Sequence, residues 1–190
     1  MSATTQAAEG LMRRRWSVAE IEAMTTLGVL AEDERFELIG GEIVPMSPKG
    51  LRHERLKYAL MRFWSKRLPD EFGIIQETTF RLDKDTFVEP DFVFFRAAEG
   101  LAALSPATAL LCVEVADTSL DYDLRRKTLL YAVHGVRAVW VIDAEAMETH
   151  VFASPGVDGY RERRVVPADE TLVPPFAAEA AIALSALTLP

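Results

Sequence analysis

The sequence predicts a mixed α/β fold, a central β-sheet flanked by helices, and three observations carry that prediction. Apolar, β-branched runs at Phe87 to Phe95, Ala109 to Val115 and Ala138 to Asp143 read as buried strands. Segments with apolar residues three and four apart alternate with them, the signature of helices that pack one face inward. The order helix, hairpin, helix, strands, helix, strand then suits a sheet with helices against it rather than a bundle or a sandwich.

Each element has a local reason. Ser17-Val18-Ala19-Glu20 has the spacing of a capping box, so a short helix starts there and Gly28 stops it. Phe36-Glu37-Leu38-Ile39, Gly40-Gly41 and Glu42-Ile43-Val44 read as a hairpin whose tight turn needs positive φ angles that glycine supplies. Pro45 to Pro48 break the pattern. A helix follows to about Leu68, with His53, Leu56, Leu60 and Phe63 or Trp64 along one stripe. Gly73 to Arg81 reads as a further strand, and a helix spans roughly Tyr122 to His134, ended by Gly135. Thr149 to Phe152 and Tyr160 to Val166 read as an edge meander. Residues 1–15 are expected to be a flexible arm ending in Arg13-Arg14-Arg15, and residues 16–190 a single domain, folding alone or as a symmetric homodimer.

Composition excludes several classes. At 49 % hydrophobic and 26 % charged residues the chain is globular, neither disordered nor fibrous. No apolar stretch reaches the roughly 18 residues of a membrane span, and the first fifteen residues lack the core of a secretion signal, so a cytoplasmic protein is expected. The single cysteine, Cys112, lies in an apolar run and reads as a buried thiol. A net charge of −8 argues against a protein that coats nucleic acid, because such binding depends on lysine and arginine displacing counterions. Charge is nevertheless segregated: Arg52, Arg55, Lys57, Arg62, Lys66 and Arg67 face Glu54 alone in one helix. That face reads first as a solvated stripe and second as a phosphate track through Arg55 and Arg62.

The chemistry is concentrated in two strands that each carry an acid among apolar residues, Asp91 in Val88-Glu89-Pro90-Asp91-Phe92-Val93 and Glu114 in Leu111-Cys112-Val113-Glu114-Val115. Burying an isolated carboxylate costs on the order of several kcal/mol, so each needs a partner. Two close carboxylates need a cation, and a hard divalent ion held by oxygen is the usual one. Parity places Glu114 with Leu110, Cys112 and Ala116 on one strand face. The following helix presents Leu124, Lys127, Thr128 and Tyr131 on an inward stripe, where a lysine requires an anion. The competing reading is a buried ion network of Asp91, Glu114 and Lys127 without metal.

These residues resemble the PD-(D/E)XK nuclease motif, and the surrounding text resembles the Uma-type family of restriction endonucleases. The matching words are Phe36 to Ile43, Met46-Ser47-Pro48 with His53, Glu89-Pro90-Asp91, Val113 to Ser119, Asp123 with Lys127, and Tyr131-Ala132 through Gly135-Val136 to Asp143. The resemblance implies a restriction-endonuclease-like core, Mg²⁺ or Mn²⁺ held by Asp91, Glu114 and the Val115 carbonyl, and water attack on a DNA phosphodiester with Lys127 orienting the water. It departs from the nuclease motif at Ala116, where the lysine sharing the glutamate's face would stand; the family pattern implies that Lys127 replaces it from the helix. Glu37 reads equally as a further ligand or base and as a structural carboxylate. His53 reads first as a packed helix residue and second as a group at the mouth of the site. Arg125 and Arg126 point elsewhere on their helix, toward water or a ligand phosphate. A degenerate module that binds nucleic acid or protein without cleaving it is the alternative function, favoured by Ala116 and the acidic net charge.

Overall fold

The computed structural model describes residues 13–31 and 33–190. Most of the expected N-terminal arm therefore lies outside the described residues; Arg13, Arg14 and Arg15 are exposed. The described residues form two units, a smaller one within 1–46 and 83–88 and a larger one from 47–82 and 89–190.

In the smaller unit, helix α1 (Val18–Thr26) begins as its sequence dictates: Glu20 N–H donates to Ser17 Oγ at 3.2 Å, and Ser17 N–H donates to the Glu20 carboxylate at 2.9 Å. Strands β1 (Phe36–Ile39) and β2 (Glu42–Pro45) pair antiparallel across Gly40 and Gly41, whose φ angles are +56° and +81°. A side chain at Gly41 would also lie 2.6 Å from Arg15 Cβ. The short strand β5 (Phe87–Val88) pairs with β1 through Phe87 and Leu38. Val18, Ile21, Leu38 and Phe87 form this unit's core.

The larger unit is built on a six-stranded mixed sheet ordered β10-β9-β8-β7-β6-β3, from β3 (Phe72–Ile75), β6 (Phe92–Arg96), β7 (Leu111–Ala116), β8 (Ala138–Asp143), β9 (Glu148–Ala153) and β10 (Glu162–Val166). Only β7 and β8 run parallel. A parallel pair needs a crossover, and helix α3 supplies it, running from Leu120–Tyr122 through a π-helical turn at Asp123–Lys127 to Thr128–Val133. On the other face lies α2 (Leu51–Trp64), whose Leu56, Leu60 and Trp64 share a core with Phe92, Phe94, Leu111, Val113 and Val115. Trp64 meets Phe92 and Phe94 edge-on at 5.3 and 5.0 Å, and its indole N–H donates to Ala180 O at 3.2 Å. The alanine-rich C-terminal segment thus packs as core through Ala177, Ala180, Ile182 and Leu184.

Two single strands expected from the sequence are interrupted. The run from Gly73 to Arg81 breaks between β3 and β4 (Phe80–Arg81), where Glu77 takes a φ of +49°. The run from Phe87 to Phe95 breaks at Glu89-Pro90, because proline cannot donate to a ladder and the Pro90 carbonyl instead accepts Glu77 N–H at 3.2 Å. Asp91 therefore stands immediately before β6 rather than inside a strand.

Candidate active site

Strand parity sets the site's direction. Leu111, Val113 and Val115 face the α2 core, leaving Cys112 and Glu114 on the opposite face. Glu114 is 3 % exposed, and its Oε1 accepts from Lys127 Nζ at 3.1 Å and from Tyr131 Oη at 2.6 Å. Lys127 is also buried, with Asp123 Oδ1 at 4.0 Å from its Nζ. Ser119 Oγ in turn donates to Asp123 Oδ2 at 2.5 Å. Burial, and then the Glu114 charge, push the neighbouring Cys112 thiol well up, so it stays protonated and inert.

The π-helical turn decides which residues face the sheet. Asp123, Lys127, Thr128 and Tyr131 are buried, whereas Leu124, expected on the inward stripe, is half-buried. The wider turn admits one extra residue, and the acid takes the place expected for the leucine.

Asp91 is held from three sides. Its Oδ2 accepts the Val115 N–H at 2.8 Å, and its Oδ1 lies 3.0 Å from both Lys49 Nζ and His53 Nε2. Burial opposes ionisation of Asp91, but the hydrogen bond and charge of His53, the charge of Lys49 and the Val115 N–H outweigh it and hold the carboxyl well below its ordinary range. His53 Nδ1 faces Glu54 Oε1 at 3.0 Å, which fixes the ring. Lys49 also bonds Glu77, whose Oε1 accepts from Lys57 Nζ at 2.8 Å, and Lys57 reaches Glu54 at 2.9 Å. A chain of alternating charge thus runs from Asp91 through Lys49, Glu77 and Lys57 to Glu54.

Several sequence candidates gather in the larger unit: Asp91 beside His53 and the backbone of Val115, and Glu114 beside Lys127. His53 is buried in the first turn of α2, and its ring also lies 3.0 Å from Asp91. Glu37 is buried in β1 of the smaller unit. Ala116 is fully buried at the end of β7. Arg55 bonds the Pro190 carbonyl, Arg125 pairs with Asp121 at 2.6 Å, and Arg62 and Arg126 are exposed. Lys49, Lys57 and Glu77 escaped the sequence reading as contacts of the site. Lys49 sits in a loop, where no periodicity signals direction, directly after the Met46-Ser47-Pro48 word.

Asp91, Glu114 and the Val115 carbonyl are oxygen donors, the ligand type that magnesium and manganese take, and both carboxylates already accept from N–H, lysine or hydroxyl groups. Among the described residues no three His, Cys, Asp or Glu side chains gather into a ready-made cage. Magnesium does not require one, since it is commonly held by one or two carboxylates while water and substrate phosphate complete its shell.

A family model, Uma2, described as "Putative restriction endonuclease", matches residues 18–186. Among solved structures the chain resembles one described as a "putative nuclease belonging to DUF820" from Anabaena variabilis, with a TM-score of 0.63 and 18 % identity, covering 84 % of this chain and 93 % of that one. At that identity the likeness concerns the fold. No curated protein matches. Among the described residues no helix is long and apolar enough to cross a membrane.

Proposed function

Since this chain belongs to the Uma2 family, described as "Putative restriction endonuclease", we propose that it is a metal-dependent endonuclease that hydrolyses phosphodiester bonds of DNA. The observation that carries this reading is the pairing of Glu114 with Lys127 at 3.1 Å beside a strand whose Val115 N–H holds Asp91. A nuclease needs oxygen donors for a divalent ion and a positioned cation for the phosphoryl charge that grows during water attack, and these residues offer both.

Asp91, Glu114 and the Val115 carbonyl would hold Mg²⁺ or Mn²⁺, which when bound polarises the scissile phosphate and makes its water more acidic. Lys127 Nζ, held by Glu114 and Asp123, donates toward the attacking water or a non-bridging oxygen. Tyr131 Oη fixes the Glu114 oxygen that Lys127 also uses, so both rotamers are set by one acceptor. Lys49 and His53 keep Asp91 ionised and oriented.

A second reading is a module of the same fold that binds nucleic acid or a protein without cleaving it. The buried Ala116 favours it, because no lysine shares the Glu114 strand face. Incubation of supercoiled plasmid with Mg²⁺ or Mn²⁺ tests the choice, using wild type, Asp91→Ala, Glu114→Ala and Lys127→Ala. Nicking by wild type alone supports the nuclease. Binding without nicking by wild type would leave the second reading, and equal nicking by all four proteins would be contamination.

A further inference from the structure

We infer that a surface pocket along α2 is a subsite for one unstacked nucleotide of the strand flanking the scissile phosphate. This deepens the nuclease reading and rests on it. The pocket has a volume of about 350 Å³ and is lined by Glu54, Lys57, Tyr58, Met61, Arg62 and Gln76. That is the size range of small-ligand clefts, and a single nucleotide belongs to it.

Three features select the ligand. Tyr58 is 54 % exposed, an aromatic face that folding leaves in water and that a base can cover. Arg62 lies one helical turn further along α2, spaced to meet the phosphate next to a base stacked on Tyr58. Gln76, just after β3, is half-buried in the lining and carries both a donor and an acceptor for a base edge. The acids beside the pocket are offset in part by lysines: Glu54 is paired with Lys57 at 2.9 Å, and Glu77, next to Gln76, is paired with Lys57 at 2.8 Å and with Lys49.

The pocket is also wired to the proposed reaction centre. Lys57 of its wall bonds Glu77, Glu77 bonds Lys49, and Lys49 Nζ lies 3.0 Å from Asp91. Because stacking on Tyr58 needs a base out of the duplex, the subsite prefers single-stranded or frayed DNA to intact duplex.

The test is binding without turnover. A fluorescently labelled single-stranded oligonucleotide and the corresponding duplex are titrated with wild-type protein, Tyr58→Ala, Tyr58→Phe and Arg62→Ala in EDTA, following anisotropy. Wild type is expected to prefer the single strand. Tyr58→Ala should weaken it on the order of tenfold while Tyr58→Phe restores it, and Arg62→Ala should reduce the salt dependence by about one phosphate contact. Unchanged circular dichroism melting shows that the exposed substitutions leave the fold intact. Single-strand affinity equal in wild type and Tyr58→Ala, or no oligonucleotide binding by wild type, overturns the subsite. No plasmid nicking by wild type together with Tyr58-dependent oligonucleotide binding would overturn the nuclease reading and leave the pocket as a nucleotide site without cleavage, not as a subsite of a scissile strand.

Discussion

Lys49 Nζ lies 3.0 Å from Asp91 Oδ1 and bonds Glu77 as well, so one loop lysine joins the acid before β6 to the strained turn after β3. Only 13 % of its side chain and 6 % of that of Asp91 are exposed, and the pair is therefore weakly screened by water. Lys49→Ala leaves Asp91 with His53 and one backbone N–H. The expected cost is about 1–3 kcal/mol, read from urea denaturation. A loss no larger than that of an exposed lysine such as Lys84, whose side chain is 86 % exposed, would mean that His53 alone suffices.

The proposed metal site predicts a ligand-dependent melting temperature. An ion that binds the native state raises its stability by about 2.7 kcal/mol at a hundred times its Kd, which for a chain of this size corresponds to about 5–10 °C. Asp91→Asn keeps an acceptor for the Val115 N–H but loses the charge, and its melting should not respond to Mg²⁺ or Mn²⁺. An equal rise in the variant would place the ion elsewhere.

Lys127 and Tyr131 share one acceptor but are expected to separate in their effects. Lys127→Met removes the cation proposed to meet the phosphoryl charge, and plasmid nicking should fall by about 10²-fold or more while oligonucleotide affinity changes little. Tyr131→Phe leaves that cation in place and removes one buried hydrogen bond to Glu114. It should cost about 1–2 kcal/mol of stability with a smaller kinetic effect. Nicking rates and denaturation midpoints measured on both variants decide this; a kinetic loss for Tyr131→Phe as large as for Lys127→Met would make the hydroxyl an equal participant.

What the sequence made legible follows from the physics of each element. The hairpin was readable because Gly40 and Gly41 state its φ angles, and helix α1 because Ser17 and Glu20 state its cap. Glu114 was readable because a charge within Leu111–Val115 can face only one side of a strand, and Lys127 because a helical stripe must turn inward. The π-helical turn had no signal, since it changes which residue of Asp123 and Leu124 is buried without changing composition. Lys49 and Glu77 were hidden for a related reason: both act from irregular backbone, where direction is set by tertiary contacts rather than by period. The strand breaks at Glu77 and Pro90 were not read from the sequence, although Pro90 has no N–H to give a ladder.

Acid should weaken the fold partly through Glu77. Burial raises its pKa, but hydrogen bonds and charges from Lys49 and Lys57 outweigh that and bring it down from 4.5 to about 2. A carboxylate depressed in the folded state contributes stability that is complete above its unfolded pKa and fades as pH falls through the folded one. The Glu77 contribution is therefore intact above pH 4.5 and lost between 4.5 and about 2. Glu77→Gln cannot titrate, so its urea midpoint should start lower near neutrality and fall less steeply across that window than that of wild type. Parallel slopes for the two proteins would mean that the lysines find other acceptors when Glu77 is neutral, and the charge chain from Asp91 to Glu54 would then be dispensable for stability.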